Sequence, residues 1–475
     1  MLEKRVLSRV LEEAMKKGGD FAEIYVEEKT VSNIFYEDDK IEKINSGREK
    51  GAGIRVIKDG STAYVYTNDL STENLCEAAS LANHAAESGQ TFSSPEIKLN
   101  CKSIDNEIKI GQKSEKVSFA DKIERIISAN STARNYSEKI RQVTIVLGDV
   151  HKAIQIANSD GELVEDERAR VRMIVNAVAA EDNIVQTGYE SAGEIGGWEL
   201  LSRVSLDELA ANASGLAVKM LSAPPAPAGR MPVVMSAEAG GTLVHEACGH
   251  GLEADLVQKG LSVYKGQMGQ KVAASGVTII DDATIERKFG SFRFDDEGIP
   301  GQKTVLIENG RLCGYLYDRL TAQKDNTNST GNGRRQSYQH KPIPRMTNTF
   351  IAPGKEDPSE IIKSTPQGLL VKKMGGGQVN TTNGDFVFDV QEAYIIEDGE
   401  VKHPVRGATL TGNGPEVLKN IDRMGKDLGF GIGTCGKDGQ GVPVSDAQPT
   451  IRIKQLTVGG TMMSNGPSIK RIRRK

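Results

Sequence analysis

The sequence predicts an α+β fold in two parts: an N-terminal α+β domain over residues 1–222, then a mainly antiparallel-β C-terminal domain over residues 223–475 carrying a metal-binding helix. Three observations predict it. The 475 residues are about three times a typical domain length, enough for more than one self-sufficient core. Pro224, Pro225 and Pro227 forbid a helix, and nothing apolar repeats from Ser222 to Pro232, which marks the boundary. Helical and strand periods mix before it, whereas short strands and Gly-rich loops dominate after it.

Leu2, Val6, Leu7, Val10, Leu11 and Met15 recur at helical spacing, so Met1–Lys17 opens the chain as a helix that stops at Gly18-Gly19. The β-prone runs Ile54–Ile57 and Ala63–Tyr66 flank Asp59-Gly60, and Asp160-Gly161, Asn309-Gly310 and Asp398-Gly399 stand between similar runs. Asp-Gly and Asn-Gly supply the positive φ that a two-residue hairpin turn needs. Helical patterns cover about 71–87, 117–135 and 199–221, and beyond the boundary about 236–254 and 415–425. The tail Lys470–Lys475 is a small basic patch expected to fray.

Composition excludes several function classes. With 26% charged and 38% hydrophobic residues, the chain is neither collagen-like nor wholly disordered. A net charge of −4 gives no global attraction for nucleic acid or anionic membrane, so neither is expected as a partner. No stretch approaches the ~18 apolar residues of a membrane helix, and the charged N-terminus lacks the apolar core of a signal peptide. Five cysteines, at 76, 101, 248, 313 and 435, are odd in number and form no CxxC, which reads as a reducing, cytoplasmic setting.

The chemistry concentrates in Val233–Asp255, where a strand feeds a helix bearing His245-Glu246-Ala-Cys248-Gly249-His250. With six histidines in the chain, a chance His-Glu-x-x-x-His is expected only about 0.006 times. In the familiar zinc motif the histidines lie four apart and share a helix face, with the intervening Glu activating water. Five apart, a regular helix turns them roughly 140° away from each other. A π-bulge, or a break at Gly249, would bring the imidazoles together, so the motif predicts a distorted helix. Two histidines do not complete a catalytic site. Glu253, Asp255 and Cys248 are nearby alternatives, as ligands or, for the carboxylates, as partners that orient an imidazole. Cys435, flanked by glycines in Gly431–Gln440, is open between ligand and packing residue. Gly375, Gly376 and Gly377 either let an extended ligand lie on bare backbone or form a tight turn. Thr330–His340 offers oxyanion donors or is a solvated loop, and His84, His151, His403, Cys76, Cys101 and Cys313 read as structural.

With these segments assembled, the chain resembles the TldD/PmbA family of metalloproteases, in its TldD branch. The resemblance runs through His245–Asp255, Ser275–Asp282, Asp295–Gly298, Thr330–Arg335, Pro344–Thr349, the Gly375 to Asn380 stretch and Gly433–Gln440. It implies zinc held by His245, His250 and Cys435, with Glu246 as general base, and hydrolysis of unfolded peptides or small proteins. It implies a dimer too, with a PmbA/TldE-like subunit or a second copy. Cys248 departs from the pattern, standing where a small non-thiol residue is expected. The competing expectation is a non-catalytic regulatory or binding subunit with a structural zinc, for which a closed four-ligand site including Cys248 or Glu253 would speak.

Overall fold

The computed structural model describes residues 1–86, 96–104, 108–113 and 116–460; the basic tail lies outside them. The N-terminal half is built on long antiparallel strands. In spatial order they are Ser61–Thr67, Lys40–Lys58, Phe21–Glu37, Ile140–Asn158 and Glu162–Glu181, with Ile184–Ile195 against the last. Ile24 faces Ile54 on one side and Ala157 on the other, and such cross-strand apolar pairs are the unit of sheet stabilisation. Helices Lys4–Met15 and Thr72–Ala85 bury Leu7, Val10, Leu11 and Leu75 against Ile24 and Ile54. A second core gathers Ile126, Ala213, Met173 and Trp198, from the helices Phe119–Asn135 and Leu206–Leu221, the sheet they cover and the short turn Trp198–Ser202.

The turn chemistry is as expected at three of the four pairs. Asp59-Gly60, Asn309-Gly310 and Asp398-Gly399 each place both residues at positive φ between paired strands. At Asp160-Gly161 only the glycine does so, and the Asn158 side chain instead accepts from the backbone N–H groups of Asp160 and Glu162.

Two sheets make up most of the C-terminal half. One runs from Arg311–Leu312 through Lys303–Glu308, Ile279–Asp282, Asn348–Ile351 and Gln440–Gln448 to Gly429–Lys437 at its edge. The other joins Glu400–Val405, Asp385–Glu397, Thr409–Asn413, Ile451–Gly459, Gly229–Met235 and Gln367–Val379. Antiparallel pairing dominates; Asn348–Ile351 with Gln440–Gln448, and Gln367–Val379 with Gly229–Met235, are parallel. The core between them contains Met235, Leu243, Ile279, Leu306, Phe386, Phe388 and Ile453.

Several expectations need correction. The span 236–254 is not one helix: 3-10 turns at Ala237–Ala239 and His250–Leu252 bracket a single α-turn, Thr242–Val244, and a π-turn, His245–Gly249. The span 199–221 opens as a 3-10 turn, Trp198–Ser202, before Ser205 caps the true helix through Glu208 N. The last helix is Gly414–Asn420, because Ile421–Met424 pairs as a strand with Ile451–Gly459. Gly375–Gly377 form no tight turn; they sit in Gln367–Val379, where the register with Asp385–Glu397 slips between Met374 and Gly377.

Of the run Thr330–His340, residues 331–335 are buried and are no solvated loop, while Gln336 and Gln339 are exposed, and the buried arginines are not free oxyanion donors. Arg335 is buried and reaches Glu23 of the N-terminal half at 2.5 Å, and Arg55 bridges Glu23, at 3.0 Å, and Glu297. Arg168 meets Asp296 at 2.7 Å. Buried charges need partners, and these come from across the junction of the two halves. Among the described residues, no helix is long and apolar enough to cross a membrane.

Candidate metal centre

The strand Gly229–Met235 feeds the broken helix, which enters against Gln440–Gln448 at a glycine. A Cβ on Gly241 would lie 2.1 Å from Ala447 N, and Gly241 N donates to Asp446 Oδ1 at 3.1 Å. At the π-turn His250 N donates to His245 O. That five-residue hydrogen bond absorbs the extra residue between the histidines and stacks one above the other. The rings lie 5.1 Å apart at 87°. Close packing fixes the turn from both sides: a Cβ on Gly249 would meet Met346 Sδ at 2.1 Å, and one on Gly414 would meet Ala247 O at 2.2 Å.

Cys435 comes from the edge strand Gly429–Lys437, returned by a hairpin whose turn residues, Asp438 and Gly439, both have positive φ. One donor atom each from His245, His250 and Cys435 lie within 4.8 Å of one another, and Cys435 Sγ stands 3.4 Å from His250 Nε2. Two donors bound tetrahedrally to zinc at its usual N and S distances are about 3.6 Å apart, so the donor set fits such an ion. Burial pushes the Cys435 thiol up, but hydrogen bonds and charge from the two imidazoles outweigh it and bring it down to about 5. Burial pushes both imidazoles down, and Cys435, with Glu253 acting on His250, more than reverses this.

Glu246, between the histidines, is pushed up by burial, with both imidazoles opposing. It lines a cleft of about 1170 Å³ together with His245, His250 and Cys435. The cleft runs between Ile184–Ile195 of the N-terminal half and the edge strand Gly429–Lys437. Gly376 lines it too, and a Cβ there would meet nothing within 4 Å. Gly375 and Gly377 do not line it; they close on Asp389 and Phe388, at 3.0 and 1.9 Å from a Cβ.

The alternative ligands have other partners. Cys248 is fully buried, its thiol donating to Val244 O, and burial pushes that thiol up. Glu253 accepts from His250 Nδ1 at 3.0 Å, and Asp255 from Lys437 at 2.6 Å. Sequence reasoning gave no role to Asp446, Arg345 or Lys437. Asp446 Oδ2 lies 3.9 Å from His245 Nδ1, and Arg345 Nη2 donates to Cys435 O at 2.5 Å. The Asp438-Gly439 turn and the position of Lys437, two residues beyond Cys435 and so on the same strand face, were the available signals.

Comparison with known proteins covers nearly the whole chain. Three family models match: PmbA/TldA metallopeptidase domain 1 over residues 22–86, the central domain over 112–221 and the C-terminal domain over 228–460. A metalloprotease of Methanothermobacter thermautotrophicus is 37% identical over 93% of this chain and 96% of its own. A Haemophilus influenzae metalloprotease TldD homolog is 37% identical over 93% of each. A Saccharolobus solfataricus zinc metalloprotease TldD homolog is 28% identical over 95% of this chain and 99% of its own. Among solved structures, TldE from Thermococcus kodakarensis shares the fold with TM-score 0.75, at 21% identity over 96% of this chain and all of that one. With this fold, these relatives and a His-His-Cys donor group in its cleft, the chain belongs to the PmbA/TldD metallopeptidase family.

Proposed function

We propose that this chain is a zinc-dependent peptidase that hydrolyses unfolded peptides or small proteins, with His245, His250 and Cys435 holding the metal. One observation carries the reading: three donors suited to zinc converge, with the Glu246 carboxylate, in the lining of one cleft of about 1170 Å³. A zinc ion held there would polarise the scissile carbonyl and acidify a water molecule. Glu246, with its carboxyl pushed up by burial, takes a proton and delivers it to the leaving amine. Gly376 leaves open space on the cleft wall where an extended peptide can lie against backbone. The resemblance in fold to a solved TldE supports assembly with a PmbA/TldE-like subunit or with a second copy, which native mass spectrometry of the chain with and without such a subunit would distinguish.

Elemental analysis of protein purified without added metal tests the site. About one zinc per chain is expected for wild type, with a marked loss in Cys435→Ala; full zinc in both removes Cys435 from the site. Glu246→Gln should keep zinc and lose cleavage of an unfolded protein substrate by about 10²-fold or more, and cleavage near the wild-type rate would remove Glu246 from the mechanism.

A further inference from the structure

Glu253 stands where the chain leaves the broken helix in an extended conformation, at ψ 120°, and its side chain is fully buried. Three groups from three segments converge on it. His250 Nδ1 lies 3.0 Å and Lys437 Nζ 3.1 Å from Oε2, and Arg345 Nε lies 4.0 Å from Oε1. The two cations are themselves tied to the strand that carries Cys435: Lys437 is two residues along it, and Arg345 donates to the Cys435 carbonyl.

We propose that Glu253 is the positioning residue of the metal centre: it holds the His250 ring with Nε2 aimed at the site and, through Lys437 and Arg345, locks the Cys435 strand in register with it. The proposal rests on the zinc reading above. A carboxylate that accepts the Nδ1 proton leaves the lone pair on Nε2, the nitrogen facing Cys435 Sγ, and fixes the ring plane. Stability gives little reason for the arrangement, since buried ion pairs are often matched by apolar residues of similar volume. His245 has no equivalent. Its Nδ1 is buried without a hydrogen-bond partner among the described residues, and Asp446 Oδ2, at 3.9 Å, is beyond hydrogen-bond reach. The two histidines are therefore held unequally, with the support concentrated on His250.

The test is the zinc dissociation constant, measured by competition with a chromophoric chelator on full-length wild type, Glu253→Gln, Lys437→Met and Asp446→Asn. Urea unfolding of the metal-stripped proteins and visible spectra after cobalt substitution accompany it. Glu253→Gln should weaken zinc by about 10- to 100-fold and shift the cobalt spectrum, with metal-free stability changing far less. Lys437→Met should weaken zinc in the same direction, and the double variant should lose less than the product of the two single losses. Asp446→Asn should lose less than Glu253→Gln. Wild-type affinity in Glu253→Gln, or zinc losses that only track metal-free stability, overturns the proposal. Should Glu253→Gln fail to fold, wild-type affinity and spectrum in Lys437→Met overturn it equally. Wild type that binds no zinc discards the zinc reading itself, a result separable from tight wild-type binding that is insensitive to Glu253.

Discussion

Gly249 lies between the two histidines, and the substitution Gly249→Ala isolates what holds the π-turn in shape. Its φ of −52° and ψ of −58° are ordinary for alanine, so the backbone raises no objection. The obstacle is Met346, whose Sδ would lie 2.1 Å from the new Cβ and must retreat by roughly 1.5 Å to reach normal contact. Met346 is fully buried and its carbonyl is held by the Arg334 guanidinium, so the retreat falls on a side chain in a filled core. Overpacking of this kind costs about 1–3 kcal/mol, while replacing glycine within a helical segment returns up to about 1 kcal/mol. The net expectation is a loss of about 0.5–2 kcal/mol in urea unfolding of metal-stripped protein followed by far-UV circular dichroism, together with weaker zinc binding, because the strain lands next to His250. Met346→Ala alone should cost about 2–5 kcal/mol. In the double variant the new methyl group partly fills the vacated space, so the two costs should fall short of their sum by about 1 kcal/mol. Strict additivity, or a Gly249→Ala protein as stable and as zinc-avid as wild type, would refute the reasoning.

Two further substitutions separate packing from substrate contact in the triglycine. Gly377→Ala pushes a Cβ onto the Phe388 ring and should cost about 1–3 kcal/mol in thermal or urea unfolding. Gly376→Ala points into open space and should leave stability unchanged, so that a raised KM for a peptide substrate reports contact on the cleft wall; unchanged kinetics would remove Gly376 from substrate binding. At the junction of the halves, burial, reinforced by Glu297, pushes the Asp318 carboxyl up to about 7. From about pH 4 to 7 the folded chain keeps a proton that the unfolded chain releases, so this group's stabilisation is present at low pH and fades as pH rises through 7. Asp318→Asn retains the helix cap onto Thr321 and should gain stability relative to wild type as pH rises across that window, whereas parallel pH curves for the two proteins would contradict the assignment.

The sequence was most legible where local chemistry decides the outcome. Asp-Gly and Asn-Gly turns need no tertiary information, and four marked pairs do join paired strands. The five-residue histidine spacing conflicted with a regular helix, and the conflict itself pointed to the distortion now seen at His245–Gly249. Legibility failed where distant segments arbitrate. Ile421–Met424 carries a helical pattern but is claimed by Ile451–Gly459. The polar run Thr330–His340 looks solvated, yet its Arg335 answers the carboxylate of Glu23, 312 positions earlier in the chain, and its Arg334 is held by the carbonyls of Met346 and Pro443. Neither local sequence nor spacing ties Lys437 or Arg345 to Glu253: Lys437 reaches it from the returned edge strand and Arg345 from the segment that follows Ile343–Pro344.

That edge strand has a consequence for biosynthesis. His250 and Cys435 are separated by 185 positions, and the strand Gly429–Lys437 that carries the thiol is paired with Gln440–Gln448, further still along the chain. A growing chain thus passes through a long interval in which it already displays both histidines and Glu246 but lacks the sulfur donor. On the zinc reading, the donor set would stay incomplete until the hairpin closes, and a single cut that released the hairpin would break it up again.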